Sequence, residues 1–271
     1  MNEFLMIMWK PLLACFILTG IHSYLGIHVV ERKVIFVDLA LAQIAALGAT
    51  LAIIFGFDLH AQATYWFSLG STFIGAIVFS LTRTRQEKIP HEAVIGIVYA
   101  VSAALAILIL SRSAEGDEHI KHILVGDILL VNGHEIFKMA WLYSLVGAAH
   151  WIFRKPFLEI SMDPDKAYTS GKKVKLWDLL FYMTFGLVVT SSVQIAGVLL
   201  VFSFLIVPAV TAILFCDTLA SRLWFGWGFG LAASIIGISL SFHFDFPTGA
   251  TVVCSFGALL AVMALGRKIF H

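Results

Sequence analysis

The feature that most constrains this chain is a series of apolar stretches, each long enough to cross a lipid bilayer. An α-helix needs about 17 to 25 mostly apolar residues to span roughly 30 Å of hydrocarbon, whereas barrel strands read as alternating segments of about ten. One stretch, "FVDLALAQIAALGATLAIIFGF" at 36–57, also carries a carboxylate and an amide. The sequence therefore predicts an all-α, polytopic transmembrane helical bundle and raises the question of why a carboxylate stands there.

The composition agrees with a chain that lies in a membrane. Hydrophobic residues make up 60% of the 271 positions and charged residues only 13%, about half the share found in soluble proteins. The three cysteines form no CxxC pair, which argues against a disulfide framework or a zinc ribbon. We expect a single transmembrane domain over 1–271, with its first span retained because no basic segment precedes it.

Apolar windows predict eight to nine spans. The nine candidates lie near 10–30, 35–57, 64–82, 92–111, 136–153, 176–192, 194–215, 223–242 and 248–266. The break between the sixth and the seventh is short, and the piece "ILVGDILLV" at 123–131 is too short to cross, so a re-entrant segment or eight spans also fit. With the N-terminus outside and the C-terminus in the cytoplasm, 14 of the 18 Lys and Arg residues lie on the inner side.

The predicted outer face is acidic and rich in histidine. Two interpretations stay open for it: an ordinary solvated loop, or a vestibule whose field concentrates cations. The vestibule candidates are Asp117, Glu118, His119, His122 and Asp245.

Two common enzyme motifs are absent. The dipeptides His91-Glu92 and His134-Glu135 lack the second histidine that HExxH zinc binding requires. The segment "TSGKKVK" at 169–175 lacks the upstream glycine of a phosphate-binding loop. We therefore expect no enzyme activity and no bound cofactor in this chain, and any ATP that drives it must bind to another chain.

Two polar residues within the spans, Asp38 and His22, are candidates for a transport route. Asp38 is costly to bury in lipid, and intramembrane carboxylates usually face protein or a water-filled route. An alternative is that Asp38 is solvated at the inner surface beside Arg32 and Lys33. His22 in the first span is either a packing histidine or part of the route. Small residues that would let another helix approach follow Asp38 on one face, at Ala42, Ala45 and Ala49.

The sequence resembles the integral permease family of ABC-type zinc, manganese and iron importers. The motifs that carry the likeness span nearly the whole chain, in the order found in the family. They are "GIHVVERKVIFVDLALAQIAALG" (26–48), "HEAVIGIVYAVSAALAIL" (91–108), "KHILVGDILLV" (121–131), "SMDPDKAYTSGKKVK" (161–175), "IAGVLLVFSFLIVPAVTA" (195–212) and "FDFPTGATVV" (244–253).

The resemblance implies a permease subunit in the inner or plasma membrane of a prokaryote. Its implied partners are a second permease copy, cytoplasmic ATP-binding subunits and an extracytoplasmic metal-binding protein, with no nucleic acid. It also places a cytoplasmic coupling segment at about 213–222, where Asp217 and Arg222 are the candidate contacts to the ATPase. We expect a short amphipathic or interfacial helix there.

The second span departs from the family pattern. Members commonly show Gly-Asp-x-x-x-His, whereas an ungapped alignment puts Asp38 at the glycine, Leu39 at the aspartate and Gln43 at the histidine. The resemblance implies that the chain transports a divalent transition metal ion, zinc or manganese first and possibly iron. Its candidate metal residues are Asp38, Gln43 and His22.

Asp38 and Gln43 are five residues apart, which puts them about 140° apart on a regular helix that turns about 100° per residue. Either a π-bulge near 39–42 brings them together, or only one of them lines the route.

Three other functions also fit the sequence. One is a stand-alone proton-coupled carrier that uses Asp38 and His22, the second is an intramembrane metalloenzyme, and the third is a channel or receptor-like module.

Overall fold

The computed structural model describes residues 2–58, 61–83, 89–111 and 126–270, without the side chains of 2, 3, 5 and 268–270. Within these ranges the chain forms ten α-helices, one short 3-10 helix at Ile128–Leu130 and no β-strand. The helices are α1 (Asn2–Glu31), α2 (Val37–Ile54), α3 (Gln62–Thr82), α4 (His91–Leu110), α5 (Gly133–Ile152), α6 (Arg154–Met162), α7 (Pro164–Thr169), α8 (Val174–Phe215), α9 (Leu219–Phe244) and α10 (Thr248–Phe270).

Seven of the described helices are long and apolar enough to cross a membrane. The count becomes eight when α5 and α6, which meet at an angle of 78°, are taken as one broken span. These helices confirm the predicted all-helical membrane architecture. The number of spans and the sides on which the termini lie stay predictions.

The chain divides into two compact units. The first contains Met1–Val30, Leu124–Tyr143 and Gln194–His271, and the second contains Glu31–Ile123 and Ser144–Val193. Segments of the two units alternate along the sequence, so no single cut in the chain separates them. Both α5 and α8 run from one unit into the other.

In the second unit, α2 packs against both α3 and α4. The contact between α2 and α3 is close at Gly48, where an added Cβ would lie 2.6 Å from the carbonyl oxygen of Phe67. At Gly75 of α3 an added Cβ would lie 2.5 Å from the Cδ1 atom of Ile44. The predicted small residues at Ala42, Ala45 and Ala49 are all buried. Small side chains therefore permit the close packing of α2.

In the first unit, α8 is interrupted at Gly197. Its φ of 74° and ψ of 161° lie in a region that is essentially restricted to glycine. The segment before the 3-10 helix lies against this interruption of α8. There the backbone N–H of Asp127 donates to the carbonyl oxygen of Ile195 over 3.2 Å. Gly126 lies so close to the backbone of Ala196 and Gly197 that a side chain there would overlap it. This segment thus provides a hydrogen bond to a backbone carbonyl group of α8 near the interruption.

Helices α6 and α7 form a hairpin between the longer helices α5 and α8. The Asp163 side chain accepts a hydrogen bond from the backbone N–H of Lys166 and so caps the start of α7, with Pro164 at its first position. Ile160, Ala167 and Val174 form a buried cluster beneath the hairpin. We call residues 154–169 the α6–α7 hairpin.

The segment 213–222 contains no separate helix. Helix α8 continues to Phe215, and α9 starts at Leu219 after a short turn. Thr218 and Ser221 form a capping box, which fixes the start of α9 and leaves no room for another helix. The expected short amphipathic helix is therefore wrong, and the separate short helices lie in the α6–α7 hairpin.

We predict that Gly48→Ala loosens the packing of α2 against α3 and lowers stability by about 1–3 kcal/mol, because backbone atoms of α3 stand where the new methyl would go. Gly70→Ala in α3 is the matched control, since no atom lies within 4 Å of its added Cβ. That variant should be neutral or slightly more stable because alanine favours helix. Thermal unfolding in detergent measures both, and equal midpoints would contradict the close packing.

Candidate functional site

Asp38 lies in the first turn of α2 and is 1% exposed. Neither carboxylate oxygen has a hydrogen-bond partner in the part of the chain that the structure describes. The alternative of a carboxylate solvated at the inner surface is therefore wrong. An unpartnered buried carboxylate costs several kcal/mol, so its place in the fold requires another explanation.

Gln43 is also buried, with 8% of its surface exposed. Helix α2 is a regular α-helix from Val37 to Ile54, so the π-bulge considered for 39–42 is wrong. Its many alanine and leucine residues favour helix and give no local reason for a bulge. Asp38 and Gln43 thus point about 140° apart around the helix axis. One straight face of α2 does not present both to the same ion.

The start of α2 is held by α4. Phe36, the residue before α2, provides no side-chain cap, but its backbone N–H donates to Oε1 of Glu92 over 2.9 Å. Glu92 belongs to the first turn of α4. This bond fixes the chain two residues before Asp38. The dipeptide His91-Glu92 lacks the second histidine of an HExxH zinc motif. Its glutamate instead positions the start of α2 through this hydrogen bond.

A buried charge cluster lies in the same unit as Asp38. Nη1 of Arg32 and Nη1 of Arg83 both donate to Oδ1 of Asp178, over 2.6 Å and 2.8 Å. Arg32 follows α1, Arg83 follows α3, and Asp178 lies in the second turn of α8. The Arg32 guanidinium also donates from Nε to Oγ of Ser161 over 2.8 Å and lies 3.9 Å from the ring centre of Phe181. We call Arg32, Asp178 and Arg83 the arginine–aspartate cluster.

The arginine–aspartate cluster was not identified from the sequence. From the sequence, Arg32 was considered only as a positive neighbour of Asp38 and Arg83 only as one of the 14 inner Lys and Arg residues, although both are less than 10% exposed. The available signal was Asp178, a carboxylate inside the apolar run "LWDLLFYMTFG". The rule that singled out Asp38 applies equally to it.

His22 is fully buried in α1. Its Nδ1 lies 2.9 Å from the carbonyl oxygen of Leu18, which only accepts, so Nδ1 donates. The imidazole also contacts the ring of Tyr143 edge to face, with 6.1 Å between the ring centres. These contacts favour a packing histidine, and a role in the route stays a prediction.

The remaining predicted residues fall into three groups. Asp117, Glu118, His119 and His122 lie outside the described residues. Asp245 ends α9 in a left-handed conformation and is exposed, as a vestibule residue would be. Asp217 is exposed in the turn before α9, whereas Arg222 is half-buried and donates from Nε to the carbonyl oxygen of Cys216. Arg222 thus stabilises the turn itself.

No group of three or more His, Cys, Asp or Glu residues in the described part of the chain could hold a metal ion. The polar groups of the site are instead spread along α2 and at its start.

Comparisons with known proteins identify the family of this chain. The profile of the ABC 3 transport family matches residues 4–267. Over 262 residues the chain is 26% identical to the "Probable iron transport system membrane protein" of Haemophilus influenzae, covering 97% of this chain and 94% of that protein. Over 188 residues it is 31% identical to the manganese transport system membrane protein MntC of Listeria innocua, covering 67% of each.

The fold is similar to a solved structure of PsaBC from Streptococcus pneumoniae in complex with Fab. The TM-score is 0.79 at 22% identity, over 96% of this chain and 94% of that one. The family profile confirms the resemblance that the sequence motifs indicated. The chain belongs to the ABC 3 transport family.

Proposed function

We propose that this chain is the membrane-spanning subunit of an importer that moves a divalent transition metal ion into the cytoplasm. ATP hydrolysis on a separate subunit powers the transport, and an extracytoplasmic binding protein delivers the ion. The observation that carries the proposal is Asp38, a carboxylate buried in α2 without a hydrogen-bond partner in the described part of the chain. A passing cation would offset the cost of burying that charge.

Transport requires a weak site, because an ion must leave on every cycle. A single carboxylate with neutral oxygen donors nearby meets that need better than a cluster of strong ligands. Gln43 supplies an amide oxygen where the family commonly has a histidine. Because the two residues point about 140° apart, we favour Gln43 as the residue that lines the route, with the charge of Asp38 acting on the ion at the inner exit.

The donor atoms favour manganese as the transported ion, with iron and zinc behind it. Carboxylate and amide oxygens suit manganese, whereas imidazole nitrogen suits zinc, copper and iron. The names of the relatives, which refer to manganese and iron, support the same order. Because Gln43 stands where the family commonly has a histidine, we expect this chain to prefer zinc less than a member with the histidine would.

The membrane arrangement follows from helix length. Helix α8 has 42 residues and would be about 63 Å long if straight, about twice the hydrocarbon thickness. The interruption at Gly197 divides it into two parts of crossing length. With α5 as one crossing and the α6–α7 hairpin on the inner side, this gives nine crossings and keeps the basic inner connections on one side.

Two surfaces are candidates for docking the ATPase. The first is the turn at 216–218, which the family resemblance indicates and where Asp217 is exposed. The second is the α6–α7 hairpin, which presents exposed charges, including Asp165 and Lys166, on a separately folded pair of helices. The hairpin offers the larger surface, and its buried side is tied to α8 through Ile160 and Val174. We favour the α6–α7 hairpin as the surface that docks the ATPase.

The proposed route predicts distinct effects for its two residues. Asp38→Asn should lower the uptake rate at low metal concentration by roughly tenfold, because weakening the interaction with the ion by about 1.4 kcal/mol lowers the affinity tenfold. Gln43→His should shift metal preference toward zinc, since it restores an imidazole donor. Uptake is measured in proteoliposomes that contain this chain, its ATPase and its binding protein, with a panel of metals competing.

Thr50→Ala, which changes another buried polar residue of α2, is the matched control and should leave uptake unchanged. If Gln43→Ala alters neither rate nor selectivity, the route does not pass this residue. If no metal is taken up by the wild-type complex while ATP is hydrolysed, the proposed function is wrong.

The docking surfaces are compared by exchanging exposed charges. The paired change Asp165→Lys and Lys166→Glu preserves net charge, and we expect it to reduce the yield of complex with the ATPase several-fold. Asp217→Lys tests the turn, and co-purification of the ATPase measures both. Loss of complex with Asp217→Lys alone would assign docking to the turn. Unchanged yield with both variants would show that neither surface docks the ATPase.

A further inference from the structure

The short connector at 32–36, between α1 and α2, is fixed at both ends by side chains of other helices. At its first residue, Arg32 bonds to Asp178 and Ser161. At its last residue, the Phe36 N–H bonds to Glu92. Helix α2 begins at the next position and carries Asp38 in its first turn. Any displacement of Arg32 therefore acts on the chain immediately before Asp38.

The α6–α7 hairpin contacts this connector through Ser161. Its hydroxyl accepts from Nε of Arg32 and donates to the carbonyl oxygen of Phe157 over 2.8 Å. Phe157 also packs edge to face against Trp177 of α8, with 5.5 Å between the ring centres. The hairpin, the connector and the start of α8 thus meet at Arg32.

We propose that the arginine–aspartate cluster is the mechanical link between the α6–α7 hairpin and the Asp38 end of α2. The inference rests on the proposed function, in which the hairpin docks the ATPase. In this role Ser161, Arg32 and Asp178 are positioning residues: movement of the hairpin changes the place of Asp38 without any of them touching the ion.

The chemistry of the cluster suits a rigid link. Arginine presents its donors in a planar fork, so bonds from Nε to Ser161 and from Nη1 to Asp178 fix the orientation of the whole guanidinium. Arg83 holds the same carboxylate oxygen from α3. The side chains of Arg32 and Asp178 are almost fully buried, so solvent does not compete for these bonds.

Stability alone does not account for the arrangement. A buried ion pair often contributes no more than well-packed apolar side chains of the same volume. This cluster also places two positive groups around one carboxylate, so one positive charge remains uncompensated within it. Directional bonds among three chain segments give a defined geometry that apolar packing does not give.

The test uses the complete importer in proteoliposomes and measures the number of metal ions transported per ATP hydrolysed. Ser161→Ala removes the acceptor of Arg32 Nε and keeps all the charges of the cluster. We expect the ion-to-ATP ratio to fall roughly tenfold, the effect of losing one hydrogen bond to a charged group. The yield of the complex with the ATPase should stay the same.

Ser80→Ala is the matched control. Ser80 is also buried, and its hydroxyl donates to the carbonyl oxygen of Lys175 over 2.6 Å, so this change removes one hydrogen bond between α3 and α8. It involves neither the hairpin nor the connector, and the ion-to-ATP ratio should not change. Asp178→Asn is less informative, because it leaves two buried guanidinium groups without a carboxylate and should lower the unfolding midpoint more than Ser161→Ala does.

A double substitution tests whether the two ends of the connector act in series. Ser161→Ala and Glu92→Ala together should lower the ratio by less than the product of their separate effects, because each already interrupts the same link. The inference is overturned if Ser161→Ala lowers only thermal stability and leaves the ratio of the folded complex unchanged. Failure of the wild-type complex to transport metal would overturn the proposed function instead.

Discussion

The cost of burying a charge organises the second unit of this protein. Asp178 lies in an otherwise apolar helix, and it is stable there because two guanidinium groups bond to one of its oxygens. Those groups come from the ends of two distant segments, Arg32 after α1 and Arg83 after α3. The carboxylate therefore holds the ends of these two segments together, and the connector to α2 begins at one of them.

Asp38 presents the opposite case. It is as deeply buried as Asp178, yet its oxygens have no hydrogen-bond partner in the described part of the chain. In contrast, one oxygen of Asp178 bonds to two guanidinium groups, so the two carboxylates of this unit differ in how they are held. In the proposed function, Asp178 fixes the geometry of the arginine–aspartate cluster and Asp38 interacts with the passing cation.

Close packing and helix interruption have separate causes in the two units. In the second, Gly48 and Gly75 allow α2 and α3 to approach because neither has a side chain at the contact. In the first, Gly197 adopts a backbone conformation that other residues avoid, and Asp127 donates to a carbonyl near the interruption. Glycine thus serves packing in one place and chain geometry in the other.

The sequence by itself determined the helical membrane class and marked Asp38 as a candidate residue, because hydropathy and the cost of an intramembrane charge are properties of a short stretch. The family motifs likewise gave the permease class. Only the tertiary structure decided that Arg32 and Arg83 are buried, since their partner Asp178 lies 146 and 95 residues away. It also replaced the expected helix at 213–222 with a capped turn, and it showed α2 to be regular. Such features depend on which distant groups meet, and the local pattern of residues does not specify that.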